Sequence, residues 1–197
     1  RTVYNQFDSL VRPLTSWLQA QGVNVVMNCT VTDFDLKTEG GKIAVTGIHC
    51  NRSGKQELVN VAEGDLVFFQ NGSMTDASSH GSRSSAPAQL TKQDSGGWTL
   101  WEKLAASHPE FGNPAAFNSS IPESYWASFT VTLKDTAFFD KMEKFTTNRA
   151  GTGGLVTFRD SNWLMSVVLA HQPHFAGQPE GVQVFWGDAL HPDRTGT

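Results

Sequence analysis

The sequence predicts a mixed α/β chain, with helices and strands interleaved rather than segregated. An amphipathic helix opens it, with Leu10, Leu14, Trp17 and Leu18 at helical spacing. Alternating Val- and Thr-rich segments follow, separated by glycine turns. The apolar run Asp65-Leu66-Val67-Phe68-Phe69-Gln70 then ends abruptly in Asn71-Gly72-Ser73, the pattern of a buried parallel strand at its carboxyl end.

The elements follow in order. The spacing predicts the first helix over residues 8–20, with Asp8 or Ser9 as N-cap and Gly22 as its stop. Strands follow in meander order: the stretch after Gly22, then Lys42–Cys50 beyond the Gly40-Gly41 turn, then Gln56–Val61 beyond Gly54. The fourth strand is the apolar run at 65–70. Residues 75–97 are rich in Ser, Gly, Ala, Pro and Gln without periodicity, and so read as a long loop of the kind that carries function. A helix is expected at 98–106, with Trp98, Trp101 and Leu104 or Ala105 on one face, broken by Pro109–Pro114. Beyond it come a strand at 126–133, a short helix at 136–145, a Gly-rich turn at 151–154, and strands at 155–159, 163–170 and 182–187.

Composition bounds the function. The 197 residues are 39% hydrophobic and 11% aromatic, with 13 Phe and 6 Trp, enough to build a core. Only 17% are charged, below the roughly 25% of an average domain, so part of the surface is expected to be covered by a partner, a ligand or further chain. A net charge of -4 and the lack of a Lys/Arg stripe argue against nucleic acid, whose phosphates such a stripe would neutralise. Cys29 and Cys50 are too few for a disulfide framework or a cysteine-rich metal site, and suggest a reduced, intracellular setting. No signal-peptide pattern or membrane-length apolar run is present in the sequence. A start at Arg1 and a stop after His191-Pro192-Asp193-Arg194 suggest an internal stretch of a longer protein.

The order of helix, strand, hairpin and apolar strand with its Gly turn matches the later part of an FAD domain in two-dinucleotide-fold flavoproteins. There, ligands sit outside the carboxyl ends of parallel strands, and glycine lets backbone N–H groups approach. An ordinary β-meander beside a core strand fits the same pattern. The G-x-G-x-x-G fingerprint is absent, and Gly151-Thr152-Gly153-Gly154 lacks the βαβ unit around it. His171 and His174, flanking Gln172-Pro173, would need a further ligand to hold a metal. Neither Ser73, without a G-x-S-x-G elbow, nor Cys50 makes a good nucleophile. Trp98, Trp101, Phe111, Trp163 and Phe175 are core candidates, or the lining of an apolar cavity.

Five separated motifs go further. Tyr4-Asn5-Gln6-Phe7-Asp8-Ser9-Leu10, Asp65–Phe68 with Asn71-Gly72-Ser73-Met74-Thr75, Pro109-Glu110-Phe111-Gly112-Asn113-Pro114, Asp160–Ser166 and Gln172-Pro173-His174-Phe175 occur in the order found in the oleate hydratase family, also called myosin-cross-reactive antigens, which this chain resembles over nearly its whole length. The resemblance implies an FAD-containing hydro-lyase that adds water across the cis double bond of an unsaturated fatty acid. FAD acts there without net redox change. The family's catalytic glutamate and tyrosine lie upstream of this segment, so no residue here is named as the acid.

Carried over by motif, Gln6 and His174 match positions that hold the fatty-acid carboxylate. Two further carboxylate contacts, a threonine and an asparagine, fall at Val168 and Ala170, where the donors are lost; His171 is a candidate substitute. Gly72, Ser73, Met74 and Thr75 match the flavin-facing loop, and Val31 an adenine-side backbone contact. The resemblance divides the chain at 75/76 into the carboxyl-terminal portion of an FAD-binding domain (1–75) and a β-rich substrate-binding segment (76–197). It implies a homodimer in the full-length form, a cytoplasmic setting and peripheral membrane contact. A redox flavoenzyme of the amine oxidase or desaturase type, and a non-catalytic fatty-acid-binding flavoprotein fragment, are the competing readings. The 197 residues alone, without the phosphate-binding Gly loop, are expected to be inactive.

Overall fold

A computed structural model describes residues 2–71, 76–124, 126–153 and 155–190. They fall into two compact units, Val26–Glu123 and Arg1–Val25 with Ser124–Thr197. These units group residues by contact and not by ligand, so they leave the expected 75/76 division untouched.

In the unit Val26–Glu123, strands β1 (Cys29–Glu39), β2 (Lys42–Arg52) and β3 (Lys55–Asn60) form an antiparallel meander in that order. Gly40 and Gly41, at φ 58° and 74°, make the tight turn that β1 and β2 require. One extra residue in each strand, Thr32 and then Thr46, shifts the β1–β2 register twice. Helix α2 (Gly96–Ser107) starts at Ser95, whose Oγ accepts from the Trp98 N–H at 3.3 Å and donates to Asp76 at 2.5 Å. Its buried residues are Leu100 and Leu104, so the seam is aliphatic rather than the Trp98–Trp101 face expected. The two indoles stack on each other at 5.8 Å, and the Trp101 indole N–H donates to the Phe111 carbonyl.

The apolar run at 65–70 is not a strand. Leu66 is 81% and Phe68 90% exposed, and Phe69 alone finds a ring partner, edge-on to Phe34 at 5.4 Å. An apolar run becomes a strand only when a neighbour supplies its hydrogen bonds, and among the described residues both sheets are antiparallel and no strand pairs with this segment. The expected parallel strand is therefore corrected, while the mixed helix-and-sheet class stands. Two single-turn helices, α3 (Ala115–Asn118) and α4 (Ile121–Ser124), follow α2.

The other unit opens with one widened turn, Phe7–Val11, running into α1 (Arg12–Ala20). The Arg12 N–H reaches back five residues to the Phe7 carbonyl, next to Pro13, which has no N–H to give. Neither Asp8 nor Ser9 caps the helix; Asn5 does, its Oδ1 accepting from the Asp8 N–H at 2.9 Å. Strand β4 (Ala127–Leu133), helix α5 (Ala137–Thr146) and strands β5 (Val156–Thr157), β6 (Met165–Val168) and β7 (Gln183–Ala189) build an antiparallel sheet of order β4-β7-β6-β5. One face of it is the core: Phe139 of α5 packs with Val167 and Phe185, and Phe138 stacks on Phe185 at 4.6 Å. No described helix is long and apolar enough to cross a membrane.

Gly151 ties this unit's turn to the loop after β6. Its N–H donates to the Leu169 carbonyl at 2.8 Å, its φ is +75°, and an added Cβ would lie 2.9 Å from the His171 backbone N and Cα. Gly151→Ala is expected to cost more than the ~1–2 kcal/mol of a left-handed Cβ alone, because backbone blocks it as well. Urea denaturation checks this, and a loss under 1 kcal/mol would contradict it.

Candidate functional site

The site grows from the loop between β6 and β7, which two glutamines hold in place. The Gln172 side chain pairs with the backbone of β7, accepting from the Val184 N–H at 3.0 Å and donating to the Val184 carbonyl at 2.8 Å. Gln178 crosses the loop: its Oε1 accepts from the His174 N–H at 2.8 Å, and its Nε2 donates to Gln172 Oε1 at 2.9 Å and to the Val182 carbonyl at 2.7 Å. So fixed, the His174 ring lies against Trp186 at 5.2 Å and Phe175 at 4.8 Å.

The amino-terminal turn docks onto this loop. The Asn5 backbone N–H donates to the His174 carbonyl at 2.8 Å, and Asn5 Nδ2 to the same oxygen at 3.1 Å. Asp8 Oδ2 accepts from the Ala176 N–H at 2.9 Å and from Asn5 Nδ2 at 2.8 Å, while Oδ1 meets Arg12 at 3.1 Å. The Ala176 N–H, with Asn5 second, holds the Asp8 carboxyl below the usual carboxylate range. Partial burial lowers the His174 imidazole against the opposing pull of Asp8. A neutral ring offers one N–H donor and one acceptor.

The structure thus brings Gln6 and His174 into one unit. Gln6 sits between the two docking residues Asn5 and Asp8, with its side chain exposed. His171 is exposed too, its backbone against Gly151. Val168 pairs with Trp186 across the sheet, and Ala170 is buried with its carbonyl given to Gln172. Neither side chain carries a donor. Asn5, Asp8, Gln178 and Trp186 were not anticipated. Asn5 carried a signal, since an Asn three residues before the first helical acid is a capping pattern.

In the other unit, Gly72, Ser73, Met74 and Thr75 lie outside the described residues. Asn71, which precedes them in sequence, has a buried Oδ1 with no hydrogen-bond partner among the described residues. Val31 lies on β1, the edge strand of its sheet, beside the first register shift. Trp98, Trp101, Phe111 and Phe117 belong to this unit, with Trp101 against Phe117 at 5.5 Å; Trp163 and Phe175 belong to the other. A concavity of about 320 Å³ is lined by Asp33, Asp35, Lys103, Ser107 and His108 among others, and its Asp33–Lys103 ion pair at 2.5 Å does not suit an alkyl chain. Cys50 is no nucleophile: Cys29 beside it and burial push its thiol up. Among the described residues no three His, Cys, Asp or Glu side chains converge to hold a metal.

Comparison with known proteins gives a consistent picture. The sequence model of the MCRA family matches residues 1–197. An oleate hydratase of Streptococcus pyogenes serotype M49 (strain NZ131) is 37% identical over 199 residues, covering 98% of this chain and 34% of that protein. A linoleate hydratase of Lactiplantibacillus plantarum is 35% identical over 208 residues, covering 100% of this chain and 36% of that protein. The chain spans about a third of the length of these relatives.

Asp8 sets the pH response of the docked turn. Its folded pKa lies below the ordinary 3.8, so its contribution is complete above that value and is lost as pH falls through the folded one. Asp8→Asn should abolish this acid limb while leaving the fold. Two-dimensional NMR of the Ala176 amide checks it, and an identical titration in both proteins would contradict the assignment.

Proposed function

Because this chain belongs to the MCRA family, we propose that it is part of a fatty acid hydratase, which adds water across the cis double bond of an unsaturated fatty acid such as oleic or linoleic acid. The observation that carries the reading is the family match over the whole chain, and the docking of the Gln6 turn on the His174 loop gives it a physical form. An exposed amide and a half-buried imidazole are suited to donate to a carboxylate at the end of a chain-binding site. Val168 and Ala170 cannot, so the grip on the head group rests on fewer side chains here, with His171 in reserve.

Hydration of an unactivated alkene puts a proton on one carbon and hydroxide on the other. It needs a positioned proton donor in a dry pocket, because the developing cation has no other route to low energy. That donor is assigned to sequence outside this chain. The cofactor in this reading is FAD, whose role is to shape and polarise the site without net redox change. The described residues suit it: the Asn71 Oδ1 is an acceptor awaiting a donor, and Val31 offers edge-strand backbone. The full-length enzyme is read as a cytoplasmic homodimer with peripheral membrane contact.

Purified full-length protein with FAD is expected to convert oleic acid to a product heavier by one water, with no oxygen uptake. Oxygen consumption or steady flavin reduction during turnover would overturn the hydratase reading. Gln6→Ala and His174→Ala should each weaken fatty-acid binding by about 0.5–1.5 kcal/mol, roughly two- to twelvefold in Kd, through loss of one hydrogen bond. Calorimetry against oleate checks this, and unchanged Kd in both variants would remove them from the site.

A further inference from the structure

The sheet face that carries Trp186 holds a second feature. Asp188 stands one pleat further along β7, on the same face, because side chains two apart on a strand point the same way. Its partners in register are Ser128 on β4 and Ser166 on β6, and Ser166 in turn lies opposite Thr157 on β5. Three hydroxyls and one carboxyl therefore cross the whole sheet in a row, on the side opposite the Phe139–Val167–Phe185 core.

The centre of this row is withdrawn from water. Ser166 is 0% and Asp188 8% exposed, and the Ser166 and Thr157 hydroxyls are 2.8 Å apart. Yet the Asp188 carboxyl has no hydrogen bond or ion pair among the described residues. Its oxygens keep a little exposed surface, and an acid this nearly buried with no protein partner is open to a ligand's hydrogen bond. Burial pushes this carboxyl up, toward its neutral form. The titratable groups on the same side, His174 over Trp186 and Asp8 beside it, do not bond to it.

A carboxyl accepts a hydrogen bond from an alcohol in either protonation state, so with hydroxyls beside it the row suits a neutral hydroxyl, whereas a ligand carboxylate would add a charge here with no cation to meet it. One pleat is about 7 Å, so a chain whose head lies at His174 and which runs along this face would reach the row several methylenes from its head.

We propose that Asp188, Thr157 and Ser128, backed by the fully buried Ser166, form a subsite for a hydroxyl carried on the chain of a hydroxy fatty acid, which makes this protein bind the hydrated acid in preference to the plain one. The subsite rests on the fatty-acid reading above and adds to it a means of recognising the product.

The test compares 10-hydroxystearate with stearate, by calorimetry on the full-length protein. The wild type should prefer the hydroxy acid at least tenfold. Asp188→Leu should bring that preference below threefold, leave stearate affinity unchanged and raise the thermal midpoint. Should Asp188→Leu not fold, Thr157→Val, isosteric and at the sheet edge, carries the same test with a preference reduced at least threefold. If neither acid binds the wild type, the fatty-acid reading itself fails and the subsite with it. If both bind without preference, or the preference survives in the variants, the subsite alone is wrong.

Discussion

The Asp8 carboxylate organises the described site. It joins two segments 168 residues apart, accepting from the Ala176 backbone on one side and from Asn5 on its own side, while Asn5 closes the circle on the His174 carbonyl. Charge-assisted hydrogen bonds of this kind are stronger than neutral ones and directional. They fix the amino-terminal turn against a loop that Gln172 and Gln178 have already made rigid. Without that docking, Gln6 would be an exposed residue near a chain end, with no defined relation to His174.

The four-stranded sheet gives this loop its foundation and separates two kinds of chemistry. On one face, Phe185 and Val167 pack against α5 in an ordinary apolar core. On the other, β4 presents only hydroxyls, Ser128, Thr130 and Thr132, opposite Asp188, Trp186 and Val184 of β7. Alternation along a strand makes such a division possible. Gly187 leaves room on that face for the Phe129 ring, which a Cβ there would meet at 2.5 Å.

Much of this was legible in the sequence, and the failures share a cause. The β1–β2–β3 meander is local, its turns marked by Gly40-Gly41 and Ser53-Gly54, and it was read directly. The β4-β7-β6-β5 order depends on pairing between distant segments, which periodicity does not encode. Leu66–Phe69 misled for the complementary reason: composition reports what a segment would bury, not whether a neighbour is there to bury it. Gln6 and His174 came from motif resemblance, whereas Asn5, Asp8 and Gln178 act through backbone contacts that leave little trace in residue type. Asp188 left a faint one, an acid inside the apolar segment Val182–Leu190.

In the proposed function, the turn around Gln6 and the loop around His174 together form the end of a fatty-acid site. Photo-crosslinking tests it most directly, using a long-chain unsaturated acid with a photoreactive group next to its carboxyl and peptide mapping of the adducts. Adducts concentrated in residues 4–9 and 171–178, and competed away by oleate, are the predicted result. Competed adducts confined to residues outside both segments would contradict it.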